Sequence, residues 1–270
     1  MQQHLQQLQE TGKTIGLVPT MGALHQGHLS LIAQAKQQTD VSVCSIFVNP
    51  TQFTEPKDLE KYPRTIEADT ANLQQAGCDV LFNPEVSEMY AGNETWHLNI
   101  GELEHLLEGK FRPGHYQGVM QVVYKLFTIV NPDKAFFGQK DYQQVMVINQ
   151  MVSRMNLPVK ITMCPTKREA DGLAMSSRNV HLTATDHAHA LVLSKALQQA
   201  KDAFERGDGL ALIQKQATDS IAQEPDIQLE YFELADGQTL HPATTGSHSI
   251  VALVAARAGH TRLIDNVIIR

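Results

Sequence analysis

The segment at residues 14–30, TIGLVPTMGALHQGHLS, constrains the fold most strongly. Its apolar start, residues 15–18, has the length and composition of a buried strand, and Pro19 is expected to end that strand. A glycine-containing loop and an apolar, helix-compatible run follow, and the next strand-like run, VSVCSIFVN, covers residues 41–49. A strand, a helix and a strand within about 35 residues predict a right-handed βαβ unit and therefore a parallel sheet.

The loop between the first strand and the first helix of this unit has the form HxGH. Gly22 and Gly27 bracket His25 and His28, which lie three residues apart and so share one face of a helical turn. A helix N-terminus has amides without internal partners and a dipole that favours anions. Two imidazoles placed there can stabilise the charge that develops when the α-phosphate of a nucleotide is attacked. The alternative, two surface histidines without a shared role, is disfavoured by the glycines and the flanking elements.

Composition limits the classes of function. The 270 residues contain 22 Lys and Arg against 29 Asp and Glu, a formal net charge of −7, which argues against non-specific nucleic-acid binding. No apolar run approaches the ~20 residues that span a bilayer, and the polar start MQQHLQQLQE is not expected to be a signal peptide. Cys44, Cys78 and Cys164 have no CxxC or zinc spacing and are predicted to be reduced core thiols of a cytoplasmic protein.

Three further segments are candidates for ligand contacts. Gln52 follows the second strand, at the sheet edge where parallel α/β folds bind ligands. A short strand at residues 135–137 runs into the turn Gly138-Gln139-Lys140-Asp141, and a lysine beside a helix start is a plausible phosphate contact. The alternative for this turn is a plain connection with a surface lysine. The polar loop at residues 167–179, KREADGLAMSSRN, carries two serines and an arginine.

The remaining patterns predict an α/β fold with two domains. Residues 1–165 are expected to form a Rossmann-like domain with a parallel sheet, and residues 166–270 a smaller α+β domain. Residues 54–63 are predicted to be a polar loop. Residues 109–118 are rich in glycine and cationic groups, and a mobile surface loop is one of two interpretations of this segment. His187 and His189 are two residues apart on a predicted helix, so they diverge and are interpreted as solvated. No histidine spacing resembles a zinc site.

Seven segments, taken together and in order, carry a resemblance to a known family. They are PTMGALHQGH, IFVNPTQF, YPRT, FRPGHYQGV, KLFTIVNPDKAFFGQKDYQQ, PTKREADGLAMSSRN and TRLIDN. They resemble the pantoate–β-alanine ligases, whereas HxGH alone indicates only the wider nucleotidyltransferase superfamily. The resemblance implies ATP-dependent condensation of (R)-pantoate with β-alanine, through a pantoyl adenylate, to give pantothenate, AMP and diphosphate. It also implies Mg²⁺, a homodimer, small-molecule substrates and neither nucleic acid nor membrane as a partner.

The resemblance also implies which residues form the site. Catalytic roles fall to His28, His25 and Lys140, and substrate contacts to Gln52, for pantoate and β-alanine, and to Gln144, for pantoate. Whether His28 transfers a proton or only donates hydrogen bonds is left open, although donation is the physical expectation. Metal ligands are not assigned, and the smaller domain is expected to act as a lid. The residues expected to bind ATP are Met21, Gly22, Ala23, Leu24, His25, Gln26, Gly27, His28, Gly138, Gln139, Lys140, Asp141, Lys167, Met175, Ser176, Ser177 and Arg178.

The sequence departs from the family pattern at a few places. Lys167 stands where a small apolar residue is common, which is harmless if the nucleotide contact is made by the backbone and disturbs adenine packing if it is made by the side chain. Tyr116 replaces a phenylalanine, and no strand precedes the N-terminal helix. Two other functions stay possible at this point. One is an adenylyltransferase that releases its adenylated product, and the other is a nucleotide-binding protein without catalysis.

Overall fold

The computed structural model describes residues 1–90, 92 and 94–270. The chain forms two compact units, the first made of Met1–Gln139 and Gln143–Pro165 and the second of Lys140–Tyr142 and Thr166–Arg270. The predicted fold class, a parallel-sheet α/β unit followed by a smaller α+β unit, is confirmed. Within the described ranges, every helix is too short or too polar to cross a bilayer.

The N-terminal unit is built on a five-stranded sheet in which all pairs are parallel, in the order β3-β2-β1-β4-β5. The strands are β1 (Ile15–Thr20), β2 (Val41–Ile46), β3 (Val80–Phe82), β4 (Lys134–Gly138) and β5 (Lys160–Cys164). The chain moves outward from β1 through β2 to β3, and then returns to the other side of β1 for β4 and β5. The direction of winding therefore reverses between β1 and β4, which is where open α/β sheets bind ligands.

Helices cover both faces of this sheet. The helices of this unit are α1 (Gln2–Glu10), α2 (Gln26–Gln38), α3 (Pro56–Lys61), α4 (Ile66–Ala76), α5 (Val86–Met89), α6 (Leu107–Phe111), α7 (His115–Val130) and α8 (Tyr142–Arg154). Alternate strand residues face opposite layers. Leu17 and Phe137 pack with α7 and α8 in one apolar cluster, while Val18 and Phe136 pack with α2 and α4 in another. The burial of β1 and β2, which is complete except at the half-buried Pro19, follows from this three-layer arrangement.

Some sequence predictions for this unit are wrong in detail. Pro19 does not end the first strand, since β1 continues to Thr20 with Pro19 in register with Ser45. Pairing of β1 with β4 covers Gly16 and Leu17 only, so the proline lies where the strand has a neighbour on one side. The polar loop predicted at residues 54–63 contains α3. The surface-loop interpretation of residues 109–118 is wrong, because this segment contains the end of α6 and the start of α7.

The C-terminal unit is an antiparallel sheet covered by helices. Its strands, in the order β6-β7-β8, are β6 (Ile227–Asp236), β7 (Ile250–Ala258) and β8 (Thr261–Ile268), and its helices are α9 (Ala184–Glu205) and α10 (Leu210–Ala222). Thr183 caps α9 by exchanging hydrogen bonds with Asp186, as a capping box does. Alanine, valine and isoleucine of β7 pack against apolar residues of both helices.

The short segment Lys140–Tyr142 groups with this second unit rather than with the residues on either side of it. The hydroxyl of Tyr142 donates to the carbonyl of Gly237 at 2.8 Å, which anchors the segment. The predicted domains, residues 1–165 and 166–270, place Lys140–Tyr142 in the N-terminal domain. The contact between Tyr142 and Gly237 joins residues far apart in the chain, so it leaves no local pattern in the sequence.

Candidate active site

The HxGH loop connects the carboxyl end of β1 to the start of α2, in the centre of the parallel sheet. His25 is the N-cap of α2, with extended backbone angles, and His28 is the third residue of the helix. Their ring centroids lie 4.1 Å apart at an angle of 38°. The predicted shared face is therefore present, and both imidazoles belong to one turn.

The Nδ1 atoms of both rings accept hydrogen bonds from the backbone. Nδ1 of His25 accepts from the amide of Gly27 at 3.1 Å, and Nδ1 of His28 accepts from the amide of His25 at 3.3 Å. The His25 ring also accepts from the amide of His28, which completes a reciprocal capping box. A neutral imidazole that accepts at Nδ1 carries its proton on Nε2, so this network assigns Nε2–H as the donor edge of each ring.

This geometry corrects one expectation about the helix start. The first amides of the helix were expected to have no internal partner and to favour an anion, but those of Gly27 and His28 are both capped by the His25 ring. The histidine side chains carry further donor groups at the same helix start. The helix dipole still favours negative charge at the same place.

A buried carboxylate shapes the same loop and was not identified from the sequence. Asp69 in α4 is 1 % exposed, and its two oxygens accept from the amides of Ala23 at 2.8 Å and Leu24 at 2.7 Å. Ala23 has a φ of +50°, in the left-handed region. The carboxylate thus holds a strained loop in shape. Its sequence signal is an aspartate four residues before the buried Leu73, a core-facing position in the helix.

Gln52 lies in a short 3₁₀ helix, Pro50–Gln52, that follows β2, and it is 9 % exposed. Its Oε1 accepts from Nδ2 of Asn49 at 3.1 Å, and its Nε2 contacts Sδ of Met21 at 3.1 Å. Oδ1 of Asn49 in turn accepts from the hydroxyl of Tyr90 at 2.7 Å. The amide of Gln52 is therefore oriented with its NH₂ group toward the start of the HxGH loop. Asn49 was missed, although its place at a strand end beside Gln52 was a usable signal.

The backbone of Gln52 is held from the other side by α7. Nδ1 of the buried His115 donates to the carbonyl of Gln52 at 2.7 Å, since a carbonyl can only accept. Gly118 lies so close that a Cβ there would come within 2.7 Å of the Gln52 amide nitrogen and closer still to the carbonyl oxygen of Thr51. The start of α7 thus fixes the backbone position of Gln52, the candidate for substrate contact.

The turn at Gly138–Asp141 follows β4, on the other side of β1 in the sheet. Gln139–Asp141 forms a 3₁₀ turn, and Nζ of Lys140 lies 3.4 Å from Oδ1 of Asp141. Gln144 is half-buried in the first turn of α8. Its neighbour Gln143 is structural, because its amide donates to the carbonyls of Leu103 and Leu106 and accepts from the amide of Glu108.

The loop at residues 167–179 is closed by an isolated bridge between Arg168 and Ala174. The carbonyl of Lys167 accepts from the amide of Met175 at 3.0 Å, while the Lys167 side chain is exposed. Ser176 caps the 3₁₀ helix Ser177–His181 by accepting from the amide of Arg178. The backbone of Lys167 is therefore ordered by the loop.

Two residues of β8 contact these segments. The carboxylate of Asp265 accepts from Nη1 and Nη2 of Arg168 at 2.6 and 3.1 Å. Nδ2 of Asn266 donates to the carbonyl of Lys140 at 2.9 Å. Asp265 is 5 % exposed, and burial raises the pKa of its carboxyl, against the opposing effect of Arg168. None of these three contacts was expected from the sequence.

His187 is not the solvated residue that its spacing from His189 predicted. Its Nε2 lies 3.2 Å from Oε2 of Glu169 and its Nδ1 lies 3.6 Å from Oδ2 of Asp171. Glu169, Asp171 and His187 offer ligand atoms within 4.8 Å of one another, the one such group in the described ranges. Oε1 of Glu169 also accepts from Nδ2 of Asn179 at 2.6 Å, within the loop at residues 167–179. The contacts of His187 with Glu169 and Asp171 connect this loop to α9.

Contacts thus join many of the predicted site residues into two sets. In the N-terminal unit, the HxGH loop and Gln52 are joined through Met21. In the C-terminal unit, Lys140 and the loop that starts at Lys167 are joined through β8.

Comparisons with known proteins agree with the sequence motifs. A family model described as pantoate-beta-alanine ligase matches residues 1–268. The pantothenate synthetase of Dehalococcoides mccartyi is 50% identical over 255 residues, covering 94% of this chain and 95% of that protein. The one from Porphyromonas gingivalis is 47% identical over 257 residues, covering 94% and 91%.

Solved structures give the same result. Pantothenate synthetase from Thermus thermophilus superposes with a TM-score of 0.93 at 40% identity, covering 98% of this chain and 97% of that one. Pantoate-beta-alanine ligase from Francisella tularensis, solved as a complex with beta-gamma ATP and beta-alanine, has a TM-score of 0.81 at 36% identity and covers 99% and 95%. The family model, the sequence relatives and the solved structures each extend over nearly the whole chain. The chain therefore belongs to the pantoate–β-alanine ligase family.

Proposed function

We propose that this protein joins (R)-pantoate to β-alanine with cleavage of ATP to AMP and diphosphate. The full-length match to the family supports this reaction. The observation that carries the proposal is local: two imidazoles with assigned Nε2–H edges lie on the loop whose first residue, Met21, contacts the amide of Gln52. Phosphate donors and an oriented carboxamide in adjacent segments suit a reaction between ATP and a small acid.

The reaction has two steps. A carboxylate oxygen of pantoate attacks the α-phosphorus, the bond to the β,γ-diphosphate breaks, and pantoyl adenylate forms. The amine of β-alanine then attacks the acyl carbon, AMP leaves with the bonding electron pair, and the new amide loses a proton. His25 and His28 donate from Nε2 to the α-phosphate oxygens, where negative charge increases in the first transition state. Lys140 supplies a point charge to the triphosphate.

Gln52 and Gln144 hold the acid substrates in this proposal. Because Oε1 of Gln52 is engaged by Asn49, its NH₂ group is the edge that meets a substrate, and it donates to a carboxylate or hydroxyl oxygen. Gln144, which has both a donor and an acceptor, binds the hydroxyl groups of pantoate. Correct placement of the carboxylate in line with the phosphorus is a large part of the rate enhancement in such a step.

The remaining ATP contacts are assigned to the turn at Gly138–Asp141, to Lys167 and to Met175, Ser176, Ser177 and Arg178. Because the Lys167 side chain is exposed and its carbonyl is engaged, we assign its contact to the backbone amide, which tolerates lysine. Mg²⁺, when bound with the triphosphate, would neutralise part of its charge. It prefers oxygen ligands and keeps several waters, so Asp141 suits it better than the histidine-containing group at Glu169.

Three further parts of the proposal concern the protein as a whole. We assign it to the cytoplasm, consistent with three free thiols. We assign it a homodimeric state on the basis of the family resemblance. We also propose, on the basis of the family resemblance, that residues 166–270 act as the lid.

Product analysis tests the proposed reaction. Purified protein should form AMP from ATP only when both pantoate and β-alanine are present. Pantoate alone should support exchange of labelled diphosphate into ATP. Release of a stable adenylated product would instead identify an adenylyltransferase. Absence of exchange, with ATP binding retained, would identify a nucleotide-binding protein without catalysis.

A further inference from the structure

One strand of the C-terminal unit holds two of the segments assigned to ATP. Asn266 in β8 donates to the carbonyl of Lys140 at 2.9 Å, and its neighbour Asp265 accepts two hydrogen bonds from Arg168. Nη1 of Arg168 also donates to the carbonyl of Gly172 at 3.1 Å, inside the loop at residues 167–179. The lysine turn and the serine–arginine loop are thus attached to consecutive residues of one strand.

The strand is a rigid base for these attachments. Consecutive strand residues point to opposite faces, so the two segments are held on opposite sides of β8. Leu263 and Val267, which share a face with Asp265, belong to the apolar cluster under α9 and α10. β8 is paired with β7 along its whole length. Because the strand is fixed by this ladder and this cluster, the distance between the two attached segments is fixed as well.

Fold stability is a weak explanation for the ion pair between Arg168 and Asp265. Asp265 is 5 % exposed, and burial raises the pKa of its carboxyl although Arg168 acts in the opposite direction. The side chain of Arg168 is 31% exposed, whereas that of Asp265 is buried. An ion pair with a buried carboxylate often stabilises a fold no more than apolar side chains of similar volume, because the buried charge loses its hydration. A bidentate arginine–carboxylate pair does constrain distance and orientation closely. Its contribution is therefore geometric.

We propose that Arg168, Asp265 and Asn266 are positioning residues for the triphosphate. They set the spacing between Lys140 and the loop that carries Ser176, Ser177 and Arg178, and they act through those groups without touching the reacting atoms. This inference rests on the proposed function for the assignment of both segments to ATP.

The test compares ATP affinity with fold stability in the full-length protein. Arg168→Lys keeps the charge and loses the bidentate fork. We expect its dissociation constant for ATP, measured by calorimetric titration, to rise about tenfold or more, since small misplacements in such sites are costly. Its Tm should stay close to that of the unsubstituted protein. Asn266→Ala should weaken ATP binding in the same way through Lys140.

A matched control and a double variant separate position from stability. Arg262→Lys alters another arginine of β8, whose Nε donates to Glu230 at 2.8 Å, and it should leave ATP affinity unchanged. The double variant Arg168→Met with Asp265→Leu removes both charges together. It should keep or raise the Tm and still bind ATP weakly, with a raised KM for ATP and an unchanged KM for pantoate in the exchange assay.

The outcomes are distinguishable from those that test the reaction. Equal ATP affinity in Arg168→Lys, Arg262→Lys and the unsubstituted protein would overturn the positioning role, as would an affinity loss that only follows a fall in Tm. If the unsubstituted protein binds ATP but shows no pantoate-dependent exchange, the ligase reaction is wrong while the affinity comparison still decides the positioning role. If it does not bind ATP, both are wrong.

Discussion

At the scale of residues, each histidine of the HxGH loop uses its two ring nitrogens differently. Nδ1 caps the helix and Nε2 carries the donor that we assign to the α-phosphate. Each ring therefore has both a structural role and a proposed catalytic role. Loss of the ring removes a cap as well as a donor, and substitutions must separate these two effects.

His28→Ala should lower pantoate-dependent ATP–diphosphate exchange by about 10²-fold or more, the usual scale for losing one transition-state donor. His28→Asn places an acceptor near the position of Nδ1 and removes the Nε2 donor, so it should recover stability without recovering activity. The exposed His105 provides the control, His105→Ala, which should exchange at the unsubstituted rate. An exchange rate near that of the unsubstituted protein in His28→Asn would remove the donor from the mechanism.

Asp69→Asn tests the carboxylate below the loop. One amide of the Ala23–Leu24 pair would then face an NH₂ group, and a buried unpaired amide costs about 1–3 kcal/mol. We expect a loss of that size in the free energy of unfolding, measured with urea, and a raised KM for ATP. Glu67→Gln, on the exposed side of the same helix, should change neither quantity. Unchanged stability in Asp69→Asn would contradict the role of this carboxylate.

At the scale of elements, the contact between α7 and the 3₁₀ helix Pro50–Gln52 depends on a missing side chain. Gly118 lets the helix approach the backbone of Thr51 and Gln52, and Nδ2 of Asn49 donates to the Gly118 carbonyl at 3.1 Å. Backbone contacts of this kind place Gln52 relative to the sheet. Backbone atoms at such a contact cannot move aside as the end of a flexible side chain can.

Gly118→Ala should therefore destabilise the protein although alanine favours helices. The gain in helix propensity is about 1 kcal/mol, while forcing a methyl group against backbone costs about 1–3 kcal/mol and shifts the chain. We expect a lower Tm and raised KM values for pantoate and β-alanine. Gly246→Ala is the control, because its nearest neighbour would lie 3.7 Å from the new methyl group. A Tm at or above that of the unsubstituted protein would show that α7 can move.

At the scale of the whole molecule, the reactivity of the three thiols depends on how deeply each is buried. Burial raises the pKa of all three, and that of Cys164 to about 11. Alkylation needs the thiolate, so native labelling by iodoacetamide at pH 8 should be slow and should quicken as the pH rises. Cys78, the least buried of the three, should label first, followed in mass spectra of its peptides. Equal labelling of Cys44 and Cys78 in the native protein would contradict this order.

The same groups predict how stability depends on pH. Burial also raises the pKa values of Tyr90 and Tyr142 above their ordinary value of 10.0, and the thiols lie above theirs of 9.0. When the pKa of a group is higher in the folded than in the unfolded protein, its contribution to stability is fully present below the unfolded pKa. This contribution is lost as the pH rises toward the folded pKa. The free energy of unfolding should therefore fall from about pH 9 upward, as measured in urea titrations. A constant value up to about pH 11 would contradict these shifts.

Local patterns were sufficient for most of the fold and for the identity of many candidate residues. The βαβ unit, the helix ended by Gly77 and the capped α9 follow from hydrophobic period, glycine and capping signals within a few residues. Pro19 and α3 were misjudged, because strand pairing and packing decided there against local preference.

Short segments and their order were enough to predict the fold class, the family and the HxGH loop. The folded chain was needed to show that Asp69 holds the loop, that Asn49 is fixed so as to orient Gln52, and that β8 holds Lys140 and Arg168. Asp69 is 45 positions from Leu24, Asn49 is 69 from Gly118, and Asn266 is 126 from Lys140. The geometry of such contacts depends on how the helices and strands pack, so no local pattern of residues can specify it.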